Sequence, residues 1–283
     1  KNASIDLIGS YSNVDSGSVS AGAVNLQVSG KGATYGVRYN HNFERSGDYD
    51  SKLMVGLDYK AYKNNVELLG QQLGNDVTVH PLSLNYAGTL TSPEGEAGFY
   101  VGWLRNVPGG DHGTAADLNA ARSGASDRYS IVRYGFNFSR ALPQGWQLRG
   151  TVSGQYTRDS LVPGEQFGAG GANSVRGFAE REISNDTGRL ASLEVYTPNL
   201  CTSISRAAMQ CRALSFYDNA YAARNNALVG EQLDASIGSI GLGLRFSMDQ
   251  LLTLQMDYAQ VVDAGGAQAK GDRRLHFQLG LSY

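Results

Sequence analysis

The residues best suited to chemistry are charged side chains that stand among apolar or glycine neighbours. Arg176 is the clearest case, because it lies between Val175 and the pair Gly177-Phe178 at the end of a glycine-rich stretch. A guanidinium carried into a partly desolvated place needs a carboxylate partner, and its planar fork can hold one at two points. The pattern therefore predicts that Arg176 forms a buried ion pair.

Motifs for catalysis or cofactor binding are missing from the sequence. It has no Gly-x-Ser-x-Gly elbow, no His-Glu-x-x-His pair and no phosphate-binding loop. The run 168–173 lacks the third glycine and the following helix of a dinucleotide site. The four histidines are scattered without the spacing of metal ligands. We therefore expect no cofactor, no metal and no enzyme, although a lipase or protease built on a membrane barrel stays open as an alternative.

Composition narrows the class of protein. A net charge of −2 gives no basic field for nucleic acid. The chain has 36 glycines and 16 tyrosines but 6 prolines, and its charged fraction of 18% is low. No stretch approaches the roughly eighteen apolar residues of a membrane helix. This composition is typical of a transmembrane β-barrel with a polar lumen, and a soluble all-β domain is the alternative. No signal peptide is visible, so we expect a mature protein or a fragment.

Alternation of apolar and polar residues with a period of two recurs from end to end of the chain. It predicts about twelve strands, most of them long enough to cross a bilayer when tilted. They are 4–13, 34–43, 52–62, 77–90, 96–106, 128–140, 146–157, 189–198, 212–221, 237–247, 251–262 and 275–283. No repeat or linker marks a second domain. We therefore predict that residues 1–283 form one all-β domain, an antiparallel transmembrane β-barrel.

The connections between these strands alternate in length. Short turns are predicted near 45–47, 92–94, 142–144 and 248–250. Long polar connections are predicted near 15–31, 64–76, 108–127, 159–188, 222–234 and 263–273, and 199–211 is of middling length. Short periplasmic turns and long extracellular loops are typical of outer-membrane barrels. We therefore expect both chain ends on the periplasmic side.

The connection 159–188 differs from the others in length and content. A loop of about thirty residues without its own secondary structure is uncommon and is usually functional or disordered. Its glycines allow close backbone approach, and Val175 and Phe178 would not ordinarily be left in water. We therefore predict that this loop folds inward and docks in the lumen.

Three short motifs follow one another in this loop. They are Glu165-Gln166-Phe167, then Gly170-Gly171-Ala172-Asn173-Ser174, then Val175-Arg176-Gly177-Phe178. Together they resemble the signature loop of two-partner secretion transporters, the haemolysin and haemagglutinin secretion/activation proteins. The last motif is shared with the wider superfamily that inserts outer-membrane proteins, whereas Gly-Gly-x-x-Ser is typical of the secretion branch. We call residues 159–188 the signature loop, and the resemblance covers most of the chain.

The resemblance implies a function and an architecture. In this family a sixteen-stranded barrel follows two periplasmic POTRA domains and passes a large unfolded exoprotein to the cell surface, driven by folding of the cargo outside. Five strands follow the signature loop both in the family and in this chain. Only about seven precede it here, so about four strands and both POTRA domains are expected before residue 1. An insertase-type assembly factor is the first alternative and a general diffusion porin the second. The implied location is the bacterial outer membrane, and the implied partners are the exoprotein, membrane lipid and the barrel assembly machinery.

The segment around Asp218 has more than one orientation open to it. If Leu214 and Phe216 face lipid, Asp218 does so too, at a cost of a few kcal/mol at mid-membrane depth. If Phe216 and Asp218 face the lumen, the segment matches the superfamily's Phe-x-Asp-x-Gly motif, with Ala220 in place of the glycine. A third possibility puts Asp218 near the strand end, among the lipid headgroups. We predict the lumen orientation.

Asp218 is then the predicted partner of Arg176, with Glu194 and Asp257 as competitors. Apart from that competition, we expect Asp58, Glu194 and Asp257 to be solvated lumen carboxylates.

The two cysteines and the last segment complete the predicted features. Cys201 and Cys211 are predicted to form a disulfide in a turn, with two free thiols as the alternative. The last segment resembles the C-terminal signal read by the outer-membrane assembly machinery, through Phe277, Leu279, Leu281 and Tyr283. A final strand with an interfacial tyrosine is the simpler interpretation. Twelve strands could close by themselves only by pairing 4–13 with 275–283, because open edges are not tolerated in hydrocarbon.

Overall fold

The fold is a long antiparallel meander. The computed structural model describes residues 2–21, 24–68, 71–72, 75–201, 209–249 and 251–282. Its strands are β1 (Ala3–Ala21), β2 (Val24–Asn42), β3 (Tyr49–Leu68), β4 (Gln71–Gln72), β5 (Val77–Val79), β6 (Pro81–Ser92), β7 (Gly95–Asn106), β8 (Ser130–Ala141), β9 (Gln147–Tyr156), β10 (Phe167–Ala169), β11 (Ile183–Asn185), β12 (Thr187–Tyr196), β13 (Met209–Ala223), β14 (Asp234–Met248), β15 (Leu252–Ala264) and β16 (Arg273–Leu281). The α-helix α1 spans Ala115–Ala121.

Within these described ranges, twelve strands follow one another in the main sheet. Their order is β1-β2-β3-β6-β7-β8-β9-β12-β13-β14-β15-β16, so each strand pairs with the next along the chain. The short strands β4 and β5 pair with β3. This confirms the prediction of about twelve antiparallel strands in an all-β fold.

The main sheet has two edges, β1 and β16. In the described part of the chain no bridge joins them, so the pairing of 4–13 with 275–283 is not formed. Leu7 on β1 and Leu281 on β16 are accordingly 82% and 72% exposed.

One face of the sheet is apolar and uncovered. Large apolar side chains recur at every second position on this face, as Val101 and Trp103 do on β7 and Leu242 and Leu244 on β14. An outward apolar band that alternates with inward residues is what a strand needs in order to cross a bilayer.

The opposite face curls around the signature loop. The loop contacts Lys60 on β3 and His276 on β16, strands from distant parts of the sheet. Phe178 and Val175 in the loop are fully buried. The sheet therefore curves around a lumen, and the loop lies in it.

Two predicted connections are wrong because strands extend into them. Most of 15–31 is strand, because β1 and β2 stay paired as far as Ala21 and Val24. In the predicted connection 64–76, β3 runs to Leu68, and β4 folds back onto it. Antiparallel pairing uses backbone groups alone, so a polar sequence without alternation can still extend a hairpin.

The signature loop has secondary structure of its own, contrary to the prediction. Its residues Pro163–Glu165 form a 3-10 turn. The two short strands β10 and β11 pair through Phe167 with Asn185 and through Ala169 with Ile183. Buried backbone N–H and C=O groups need partners, and this small hairpin supplies them away from water.

The end of the sheet with the long connections is covered by α1. Thr114 and Asp117 form a capping box at its start. Leu118 is buried in an apolar cluster with Val77, Leu161 and others. Among the described residues, no helix has the length and apolar character needed to cross a membrane.

Candidate functional site

Arg176 and Asp218 form an ion pair held at two points. Nε of Arg176 lies 2.7 Å from Oδ2 of Asp218, and Nη2 lies 2.8 Å from Oδ1. The backbone N–H of Arg176 donates to the same carboxylate at 3.2 Å. Both residues are buried, at 5% and 0% exposure. The loop is therefore fixed to β13 by a desolvated, charge-assisted contact.

Two more carboxylates face the same guanidinium. Nη1 of Arg176 is 2.8 Å from Oε1 of Glu194 and 3.5 Å from Oδ1 of Asp257. Arg245 lies 2.9 Å from Asp257 and balances part of the negative charge. Burial acts to lower the pKa of Arg176, but the hydrogen bond and charge of Asp218, with Glu194 and Asp257, raise it above its ordinary value. Arg176 therefore stays charged.

The prediction of solvated carboxylates is wrong for Asp58 and Asp257, whereas the side chain of Glu194 keeps 18% exposure. Asp58 and Asp257 are each 6% exposed, and Asp58 accepts a hydrogen bond of 2.6 Å from Arg38. Each of the three carboxylates is paired with an arginine because inward arginines stand on neighbouring elements.

The inner face of β13 carries the even-numbered residues. Phe216 and Asp218 point into the lumen, whereas Tyr217 is exposed on the outer face. The guanidinium carbon of Arg176 lies 3.5 Å from the ring centroid of Phe216, which adds a cation–π contact. Ala220, where the superfamily motif has glycine, is buried beside Val175 and Phe178 in one apolar cluster.

Gly177 lets the loop lie flat against the sheet. Its φ of +96° is a conformation that residues with a side chain rarely adopt, and a Cβ there would stand 3.2 Å from Cβ of Ala259. Its N–H donates to Nε2 of His276 at 2.9 Å. Earlier in the loop, Gly170 and Gly171 also have positive φ, and Gly170 donates to Oγ of Ser174 at 3.2 Å. These glycines shape the turn that presents Arg176.

A second polar contact holds the loop on the opposite side of the lumen. Glu165 is 1% exposed and accepts from Nζ of Lys60 at 2.8 Å and from the hydroxyl of Tyr62 at 2.7 Å, both on β3. Arg133 on β8 adds a contact of 3.3 Å. The sequence pointed to Glu165 only through the resemblance, and its partners were missed because no local pattern links them to it.

A third polar contact joins the long connections at one end of the sheet. Asp186 is fully buried and is bound by both terminal nitrogens of Arg122, one of them at 2.8 Å. It also accepts from the backbone N–H groups of Leu161 at 2.9 Å and Asn225 at 2.7 Å. Asp186 could not be recognised from the sequence, because an acid in a polar loop carries no distinguishing signal.

The remaining predicted residues lie away from this site. Cys201 and Cys211 are joined by a disulfide, with their Cα atoms 5.3 Å apart, between β12 and β13. On β16, Phe277, Leu279 and Leu281 are exposed on the outer face. Tyr283 lies outside the described residues. Within the described ranges, no group of three His, Cys, Asp or Glu residues could hold a metal ion.

The chain belongs to the family described as haemolysin secretion/activation protein ShlB/FhaC/HecB, whose model matches residues 2–246. Among solved structures, CdiB from Escherichia coli has a TM-score of 0.80 at 18% identity, covering 99% of this chain and 50% of that one. CdiB from Acinetobacter baumannii has a TM-score of 0.71 at 19% identity, covering 99% and 48%. BamA from Haemophilus ducreyi lacking POTRA domains 1–3 has a TM-score of 0.65 at 16% identity, covering 98% and 63%. The comparison with curated proteins gave no match.

Family and fold together define the class of protein. The chain spans about half the length of the two CdiB structures that it resembles. The predicted family and the predicted antiparallel transmembrane β-barrel are both confirmed. The chain is therefore an integral outer-membrane protein.

Proposed function

We propose that this protein is the pore of a two-partner secretion system, which translocates a large exoprotein from the periplasm to the cell surface. The observation that carries the proposal is the signature loop docked in the lumen through Arg176 and Asp218. Membership of a family of secretion/activation proteins supports it. In this proposal residues 1–283 form one barrel domain, and further strands of the full protein cover the free edge of β1.

In the absence of cargo the docked loop narrows the lumen, which then passes ions but not a polypeptide. Its contacts reach from Lys60 on β3 to His276 on β16, so a passing chain must displace it or pass beside it. The buried pair fixes where the loop docks, and removing one partner would leave an uncompensated charge at a cost of about 3–5 kcal/mol. Folding of the exoprotein outside the cell supplies the driving force.

The proposal includes partners but no enzymatic activity. The partners are the secreted exoprotein, outer-membrane lipid against the apolar outer face, and the barrel assembly machinery, which reads the end of β16. The lumen carboxylates Asp218, Glu194 and Asp257 are held by arginines, which leaves them unsuited to acid–base catalysis.

A second candidate is an insertase-type assembly factor of the outer membrane. The likeness of the fold to BamA from Haemophilus ducreyi favours it. The family match over residues 2–246 favours secretion over this candidate and over a general porin.

Reconstitution separates these functions. The full-length protein is placed in liposomes with a large exoprotein encoded beside it, and protease protection reports on which side the exoprotein lies. Secretion predicts that the partner crosses the membrane and an unrelated unfolded protein does not. Faster insertion of an unrelated barrel protein, without passage of the exoprotein, would instead support the insertase.

A further inference from the structure

A polar cavity of about 580 Å³ lies in the lumen between the tip of the signature loop and the inner walls of β9 and β12 to β15. It is nearest the end of the sheet where the turns are short, which is the periplasmic end of an outer-membrane barrel. The loop residues Ala172, Asn173 and Ser174 border it on one side. An exported chain that enters from the periplasm would therefore meet this cavity before it meets the docked loop.

The cavity carries more positive than negative charge. Its lining includes Arg149, Arg176, Arg212, Arg245, Glu194 and Asp257. Both carboxylates are already engaged by Arg176 and Arg245.

Two of these cations form no direct ion pair in the described part of the chain, although Glu194 stands opposite Arg149 in the register of β12 with β9. Across the ranges that the structure describes, no carboxylate forms an ion pair with Arg149 or Arg212. Arg149 lies over the ring of Tyr196, 4.6 Å from its centroid. Arg212 donates to the side-chain oxygen of Gln147 at 3.2 Å.

Holding the charged side chain of Arg212 at this position costs free energy when no anion is bound. In the register of β13 with β14 it stands directly opposite Arg245, and like charges directly opposite each other destabilise a sheet. Its Nε is buried and has no hydrogen-bond partner. A buried donor left unpaired costs free energy, and a carboxylate bound by the terminal nitrogens would offset part of the cost of holding this cation beside Arg245. A guanidinium fork is well suited to that carboxylate.

We propose that this cavity binds acidic segments of the exported polypeptide, with Arg149 and Arg212 as the residues that receive its carboxylates. The identity of the ligand rests on the proposed secretion function. Glutamine side chains at positions 147, 210 and 255 also line the cavity, and their amides can donate to and accept from an extended backbone.

The site is coupled to the docked loop by shared residues. Glu194 and Asp257 line the cavity and also contact Arg176. A carboxylate arriving in the cavity competes with them for Arg176 and repels them. Occupation of the cavity therefore disturbs the contacts of Arg176 with Glu194 and Asp257, while its two-point contact with Asp218 keeps the loop docked.

The test measures block of ionic current through the full-length protein in planar bilayers. The probe is a peptide that alternates glutamate with serine, added from the periplasmic side, and a matched peptide carries lysine instead of glutamate. The variants are Arg149→Gln with Arg212→Gln, and Arg140→Gln as the control. Arg140 forms an exposed ion pair with Glu94 and does not line the cavity. Arg212→Lys keeps the charge and tests whether the planar guanidinium group is needed.

The glutamate peptide is expected to block the wild-type channel and the lysine peptide is not. Losing two charged hydrogen-bond donors should raise the half-blocking concentration of the glutamate peptide by about tenfold or more in the double variant, and Arg140→Gln should leave it unchanged. Equal block by the two peptides, or equal block of the double variant and the wild type, would overturn the site. Block by inorganic phosphate at the same concentration as the peptide would show that the site binds small anions in general, and would rule out a polypeptide as its specific ligand. Because the assay does not depend on export, it tests the binding site separately from the secretion function. Either one can fail while the other holds.

Discussion

Arg176 in the signature loop and Asp218 on β13 are 42 residues apart in sequence and meet through two parallel hydrogen bonds in the lumen. Ser192 on β12 donates to the same carboxylate at 2.6 Å, so the pair is tied to two neighbouring strands. The loop is thereby held in one position on the inner wall. Substitutions at Arg176 and Asp218 can therefore test the role of the loop in export.

Arg176→Ala and Asp218→Ala are each expected to impair secretion, and the double variant is expected to be little worse than either single one. Each single change leaves a buried charge without its partner, at a cost of about 3–5 kcal/mol, and the second change removes that charge. Export of the exoprotein by cells that carry each variant measures the effect. Arg176→Lys, which keeps the charge but loses the two-point geometry, should fall between wild type and Arg176→Ala. Strictly additive losses would contradict the pairing.

Deleting residues 164–178 should abolish export while the barrel still folds. The deletion removes β10 and the contacts of Glu165 and Arg176, but no strand of the main sheet. Folding is checked by the heat-modifiable migration of outer-membrane barrels on gels, and the open lumen by a higher conductance in bilayers. Normal export by the deleted form would show that the loop has no part in transport.

The disulfide between Cys201 and Cys211 should contribute about 2–3 kcal/mol to stability, because it closes a short loop. Cys201→Ser with Cys211→Ser should lower the free energy of unfolding by that amount without affecting export, since the disulfide lies outside the loop site. Mass analysis of unreduced protein gives the direct check. Two thiols that react freely with an alkylating reagent in such material would rule the disulfide out.

The strands and the Arg176–Asp218 pair could be predicted from the sequence because local rules bear on both. Alternation on β13 gives two orientations, and the cost of an aspartate in lipid selects the one that brings Asp218 inward. Arg176 needs a partner for the same electrostatic reason. Two independent costs therefore point to one contact, and the structure has that contact.

Other contacts could not be predicted, for identifiable physical reasons. Glu165 and Lys60 are 105 residues apart on elements that are not neighbours in the sheet, so no periodicity relates them. Asp186 binds three connections whose course depends on how the long loops pack. The extension of β1 and β2 to Ala21 and Val24 escaped prediction because backbone pairing continues where side-chain alternation ends.

The contacts of Glu165 and Arg176 are expected to stabilise the loop independently of each other. Glu165 binds Lys60, Tyr62 and Arg133 on one side of the lumen, and Arg176 binds residues of β12, β13 and β15 on the other. Glu165→Gln keeps the size of the side chain but leaves two cations without their carboxylate. Lys60 and Arg133 are partly exposed, so we expect a loss of about 1–3 kcal/mol, below the value for a fully buried pair.

Combining Glu165→Gln with Arg176→Ala should therefore give the sum of the two single losses to within about 0.5 kcal/mol, because the two residues share no partner. Denaturant unfolding of the purified barrel in detergent measures the free energies of all four proteins. Glu94→Gln, which breaks an exposed ion pair with Arg140, is the matched control and should cost at most about 1 kcal/mol. A coupling energy well above 1 kcal/mol between Glu165 and Arg176 would mean that the loop docks as one unit, and that releasing either end frees the whole of it.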